Sequence, residues 1–234
     1  MNTEVEKLAG SPSKSPADEP VQLTLMSEEE PDLFAFDSGF RAECGAVCGI
    51  DEAGRGPLAG DVFAAAVIFD EGTVIEGIND SKKLTEKKRE ALFDEICAKA
   101  KAYCIASASV DEIEQLNILQ ADFLAMQRAY NGLGMQAGIV LVDGNQLPQL
   151  DAEMKYVIKG DAKSASIAAA SILAKVSRDR YMKQMAEEYP QYGFDKHKGY
   201  GTRAHYAAVD EFGLCAIHLS LIHISEPTRL RRIS

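Results

Sequence analysis

Asp51 and Glu52 directly follow the apolar run 45–50, Asp143 directly follows the apolar run 138–142, and Asp161 follows Tyr156–Ile158 just ahead of a long helical pattern. Acidic side chains therefore emerge where buried strands end. Leaving such charges buried and unpaired costs several kcal/mol, roughly, so something cationic belongs beside them. Strand ends of open α/β sheets are also where ligands bind. Taken singly, each acid reads equally well as a solvated turn residue, and Asp161 as a capping acid favoured by a helix dipole. Taken together they form an oxygen donor set with no cysteine or histidine, which suits hard cations such as Mg²⁺ or Mn²⁺. Two such ions held ~3.5–4 Å apart can activate a water and stabilise the leaving oxygen in phosphodiester hydrolysis. Asp179 is a rival fourth ligand, but its neighbours Arg178 and Arg180 explain it more simply as an ion-pair partner.

Adjacent strand residues point to opposite faces, so Asp51 and Glu52 can share a site only if the chain bends there. Ala53-Gly54-Arg55-Gly56-Pro57 is expected to supply that bend. Val62–Phe69 is a second apolar strand that should pair with 45–50. Thr85 can cap a helix through about Ala100, followed by a strand over Ala102–Ser109, a short helix over Asp111–Leu116 and a longer one over Leu119–Tyr130. Ser164–Glu188 reads as one long helix, and Thr202 caps a last one that Gly213 ends. Strands in a run and then alternating with helices indicate an α/β domain with a mixed central sheet flanked by helices.

A chain of 234 residues, 46% hydrophobic and 26% charged, makes one soluble domain with appendages. Its longest apolar runs fall far short of a bilayer span, and Met1–Gly10 has no signal-peptide core, so a cytoplasmic protein with no membrane partner is expected. Five cysteines with one close pair predict reduced thiols. The net charge of −11 argues against nucleic acid only as an average. Residues 1–40 carry nine acids against two bases, whereas residues 155–203 carry ten Lys/Arg against five Asp/Glu. That basic stretch is what a phosphate-facing surface requires, although a solvated helix face reads the same. Residues 1–42 are expected to be a disordered acidic tail.

The motif Cys48-Gly49-Ile50-Asp51-Glu52-Ala53-Gly54-Arg55-Gly56-Pro57 resembles the opening signature of ribonuclease HII. The resemblance continues in order through Asn79-Asp80-Ser81-Lys82-Lys83-Leu84, Val142-Asp143-Gly144, Lys159-Gly160-Asp161, Ala168–Val176 with Arg178-Asp179, and His197–Thr202. It implies a ribonuclease H-like fold over residues 43–218 and a monomeric, Mg²⁺- or Mn²⁺-dependent endonuclease that leaves 5′-phosphates. Its partners would be RNA/DNA hybrids and duplex DNA containing ribonucleotides, incised 5′ to the ribonucleotide. Carried over residue by residue, Asp51, Glu52, Asp143 and Asp161 become the metal-binding catalytic carboxylates. The resemblance implies that the backbone of Gly54, Arg55 and Gly56 would contact the 2′-hydroxyl and that Tyr200 would pack on the ribonucleotide sugar. Ser81, Lys82, Lys175 and Lys198 are candidate substrate contacts. The sister family, ribonuclease HIII, resembles the chain less, since it carries a lysine where Arg55 stands. A non-catalytic nucleic-acid-binding module is the remaining alternative, and four acids beside phosphates argue against it.

After His218 the pattern stops, and Leu219–Arg229 reads as the translation of a transposon end and adapter used in sequencing-library preparation. Residues 219–234 are therefore expected to be a non-native read-through tail.

Overall fold

The computed structural model describes residues 32–220. Five strands form one mixed sheet: β1 (Val47–Ala53), β2 (Val62–Ile68), β3 (Ala102–Ala108), β4 (Ile139–Asp143) and β5 (Met154–Val157), in the order β3-β2-β1-β4-β5. β1 pairs antiparallel with β2 and parallel with β4, β2 pairs antiparallel with β3, and β4 pairs parallel with β5. Among the described residues seven α-helices accompany them: α1 (Leu33–Cys44), α2 (Glu86–Lys99), α3 (Val110–Leu116), α4 (Ile118–Asn131), α5 (Ala165–Glu188), α6 (Phe194–His197) and α7 (Arg203–Phe212).

Side-chain alternation divides the core between the two faces of the sheet. Cys48, Ile50, Ala64, Ala66, Val140 and Val142 pack with α3 and α4, whereas Ala65 and Val67 meet α2 and α5. The alanines and serines of α5 let that helix lie close on the sheet. A β-carbon at Gly49 of β1 would lie 2.1 Å from the Ser166 carbonyl carbon, so only glycine admits the first turn of α5 here. Among the described residues no helix is long and apolar enough to cross a membrane, and the five cysteines are free.

The expectation of a disordered segment through residue 42 is corrected for residues 32–42. Asp32 caps α1 by accepting from the Phe34 and Ala35 N–H groups, and Phe36, Phe40 and Cys44 pack against Val47, Leu141 and Ile167. Asp37 is buried, and its Oδ2 accepts from the backbone and hydroxyl of Ser166 in the first turn of α5. Leu33, Phe36, Phe40 and Cys44 repeat at helical spacing. Averaging the composition over the acidic residues before them concealed this stripe. Residues 1–31 of the expected tail lie outside the described residues. At the other end, Leu219 packs on the α4 side of the core and its N–H donates to the Leu58 carbonyl at 3.0 Å, so at least this residue of the expected read-through tail joins the fold. Residues 221–234 lie outside the described residues.

Behind α5 a smaller cluster gathers Met182, Tyr192, Phe194 and Ala208, with a chain of buried imidazoles beside it. The Cys215 N–H donates to His218 Nδ1 at 3.0 Å, His218 Nε2 meets His205 Nε2 at 3.0 Å, and His205 Nδ1 meets the Tyr200 carbonyl at 3.0 Å. A backbone N–H can only donate, so His218 carries its proton on Nε2 and His205 carries its own on Nδ1, both rings neutral. Burial lowers the pKa of each, with His205 adding to the effect at His218, which falls to about 4. Unfolded histidine takes a proton near pH 6.5, so the stability contributed by these rings is complete above that pH and is lost as pH falls from there toward 4. Melting temperature measured across that window should fall less steeply for His218→Gln than for wild type; equal slopes would show that the pair does not titrate with unfolding.

Candidate active site

The parallel register of β1 and β4, with Ile50 opposite Val142, sets Asp51 beside Asp143 at neighbouring strand ends. Asp161 arrives from a 3₁₀ turn over Gly160–Ala162, immediately before α5. That turn is tied to β4, since the Gly160 N–H donates to Asp143 Oδ1 at 2.6 Å. Oxygens of Asp51, Asp143 and Asp161 lie within 4.8 Å of one another. Burial raises Asp51 well above the usual carboxylate range, with repulsion from Glu52 and Asp143 adding to it. Asp161 is raised to about 6 by burial, then by Asp143 and Asp80. Lys82 reaches to 4.0 Å from Asp161 Oδ2. Burial opposes its charge, but Asp51, Asp161, Asp80 and Asp143 together hold the ammonium above its ordinary pKa. A buried, self-repelling set of hard oxygens with one lysine at its edge fits a divalent cation better than it fits any other occupant.

Glu52 does not join that trio. β1 pairs regularly with β2 as far as Ala53 opposite Phe63, so the expected bend falls after the two acids rather than between them, at Gly54, whose φ is +116°. Alternation then sends Glu52 toward α4. There Arg55 Nη1 lies 3.6 Å from Glu52 Oε1, and Arg55 Nε lies 3.6 Å from Asp122 Oδ2. Asp122 is a fifth acid that sequence reasoning missed. It is completely buried on α4, neither oxygen has a hydrogen-bond partner among the described residues, and burial and then Glu52 push its carboxyl up to about 8 against the pull of Arg55. A signal was present, since Asp122 sits in the stripe Ile118, Ala121, Ala125, Met126, where the helical period demands an apolar residue.

The remaining candidates divide. Tyr200 is 44% exposed, and a β-carbon added to Gly56 would lie 3.6 Å from its ring, in ordinary contact. The structure thus brings together the turn and the aromatic ring. Lys198 adopts a left-handed backbone conformation, and its ammonium donates to the Asp195 carbonyl. Two further candidates for phosphate contact are engaged within the chain. Ser81 is buried, with its hydroxyl 2.8 Å from the Ser171 hydroxyl. Lys175 is paired at 2.6 Å with Asp179, whose other oxygen faces Arg89 at 3.8 Å. Much of the basic stretch is engaged in the same way: Arg180 and Lys183 pair with Glu90 and Glu86 of α2, and Arg178 is buried on main-chain carbonyls. Charge along the chain counted Arg180 and Lys183 as free, because their partners lie 90 and 97 residues away.

The family described as Ribonuclease HII matches residues 48–223. Curated ribonuclease HII sequences are similar at 55% identity over 81% of this chain and 85% of the relative from Delftia acidovorans, and at 55% over 74% and 84% for that from Caldicellulosiruptor bescii. Among solved structures, ribonuclease H2 from Pyrococcus horikoshii is 26% identical with a TM-score of 0.63, covering 76% of this chain and 93% of its own. A match that begins at the first residues of β1 and runs beyond α7, with relatives more than half identical across most of both chains, is extensive enough to decide the family: the chain belongs to ribonuclease HII, the type 2 ribonuclease H endonucleases that hydrolyse RNA in RNA/DNA hybrids.

Proposed function

We propose that this chain, acting as a monomer with Mg²⁺ or Mn²⁺, incises 5′ to single ribonucleotides embedded in duplex DNA as well as cleaving longer hybrids. The observation that carries the finer reading is the closeness of Gly56 to the Tyr200 ring, with Arg55 reaching from the same turn to Glu52. A ribonucleotide in DNA differs from its neighbours by one hydroxyl, which is both donor and acceptor. Backbone groups flanked by glycines can approach that hydroxyl without obstruction, while the half-exposed Tyr200 ring can pack on the sugar.

On this reading Asp51, Asp143 and Asp161 would hold the metal, and Glu52, placed beside Asp51 on β1 but now paired with Arg55, would join them only by leaving that partner; the bound ions would supply a water nucleophile at neutral pH and stabilise the leaving oxygen. Asp143 is aimed by the Gly160 N–H. Asp51 is backed by the Glu52 N–H, which donates to its Oδ1 at 2.7 Å. Lys82, at the edge of the cluster, is positioned to meet the phosphate as it enters.

The test compares a duplex containing one ribonucleotide with a continuous hybrid. Tyr200→Ala should lose about 1–3 kcal/mol in kcat/KM on the former, the usual value of stacking on an aromatic ring, and less on the latter, where many registers are productive. Tyr200→Phe should be mild. Equal, wild-type rates on both substrates for Tyr200→Ala would place recognition elsewhere.

A further inference from the structure

The segments proposed to read the ribonucleotide, 54–61 and 198–200, are far apart in the chain, and one side chain joins them. Arg178 of α5 is only 1% exposed. Its Nε donates to the Asp61 carbonyl at 3.1 Å, Nη2 to the Ala59 carbonyl at 3.0 Å and Nη1 to the Lys198 carbonyl at 3.0 Å. Its stem occupies the space beside Gly54, where a β-carbon would lie 2.5 Å from Nε and 2.8 Å from Cδ. The guanidinium carbon stands 6.0 Å from the centre of the Tyr200 ring.

A buried cation whose three bonds all end on neutral main-chain carbonyls is a costly way to fill a core. The neighbours of Arg178 on the same helical stripe, Ala174 and Met182, fill it with apolar groups. What the guanidinium adds is a rigid planar fork with donors in fixed directions. Two prongs of that fork hold the chain that leaves the Gly54–Gly56 turn, and the third holds the residue two before Tyr200. The carbonyl of Tyr200 itself is held from the other side by His205.

We infer that Arg178 is a positioning residue for ribonucleotide recognition: its fork fixes the spacing between the Gly54–Gly56 turn and Tyr200, so that backbone and ring close on the same sugar. This rests on the reading of turn and ring given above. Lysine keeps the charge but not the fork, because one ammonium cannot span three carbonyls with the same geometry.

The experiment measures kcat and KM on the single-ribonucleotide duplex and on the hybrid, together with melting temperature. It uses Arg178→Lys and Arg178→Met, each in the wild-type and Tyr200→Ala backgrounds. Arg178→Lys should reduce the preference for the single-ribonucleotide duplex by about tenfold, comparable to losing one stacked aromatic contact, chiefly through KM on that substrate. Once Tyr200→Ala is present the same change should leave the preference unaltered, since residues acting through one another are not additive. A residue that merely holds the fold would lower both rates in proportion to the folded fraction and would add to Tyr200→Ala; that pattern, or an unchanged preference in Arg178→Lys, overturns the inference. Arg178→Met provides the same comparison if the lysine variant is poorly folded, because the preference is a ratio of rates from the same folded molecules. Tyr200→Ala without effect on preference removes the underlying reading, whereas an effect of Tyr200→Ala alone removes only the role of Arg178.

Discussion

Asp51→Asn and Asp143→Asn are each expected to reduce cleavage by about a thousandfold or more, the several kcal/mol that a bound metal ion contributes. Both changes are isosteric, so the effect should not come through folding. In Asp143→Asn the side-chain amide keeps an oxygen that can still accept from the Gly160 N–H, which now holds Asp143. At position 51 the substitution removes a buried charge repelled by Glu52 and Asp143, so without metal the variant should melt at or above the wild-type temperature. Duplex binding should stay within a few-fold, since no phosphate contact is removed. The stabilisation that Mn²⁺ gives the wild type by binding the folded state alone should shrink in both variants, which provides a readout independent of turnover. Near-wild-type cleavage with either Mg²⁺ or Mn²⁺ would refute the assignment.

Gly49→Ala should be severe for a different reason. The added methyl would meet Ser166 C at 2.1 Å, Ile167 N at 2.3 Å and Ser166 O at 2.5 Å, all backbone of α5. A flexible side chain could move aside, but a helix can relieve this contact only by lifting off the sheet. Overpacking of a close-packed interior already costs about 1–3 kcal/mol where side chains can adjust, so a loss at or above the upper end is expected in chemical denaturation. The displacement would also reach the active site. Asp51 lies two residues on, on the same face of β1 as Gly49, and Ser171 of α5 favours the charged form of its carboxyl. Molecules that remain folded should therefore also cleave more slowly. A variant that melted within a degree or two of wild type would mean that α5 does not pack on β1 as closely as described.

The alternation of apolar runs and turns made β2, β4 and the helices α2 to α5 legible within a residue or two, because the hydrophobic period and the capping residues are local properties of the chain, whereas β1 runs three residues beyond its expected end at Ile50. Placement of Asp51 and Asp143 at strand ends and of Asp161 just ahead of α5 was legible for the same reason; the first two converge once β1 and β4 are parallel neighbours, and the Gly160 N–H ties the turn of Asp161 to Asp143. α1 was hidden by composition, although its stripe Leu33, Phe36, Phe40 and Cys44 was present.

What the order of residues could not decide was which side chains meet. The face taken by Glu52 depended on where β1 stops pairing regularly with β2. The fate of the cations on α5 depended on α2, whose Glu86 and Glu90 neutralise Lys183 and Arg180. The burial of Arg178 depended on carbonyls at Ala59, Asp61 and Lys198, and the neutral imidazole chain on His205 and His218 coming within 3.0 Å. By itself the sequence determined the elements, the acids at their ends and the family motifs, since period, turn chemistry and residue order are written along one dimension. Only the tertiary structure decided which charges are spent on one another, because a charge is neutralised or desolvated by whatever lies within a few ångströms of it, however far away along the chain.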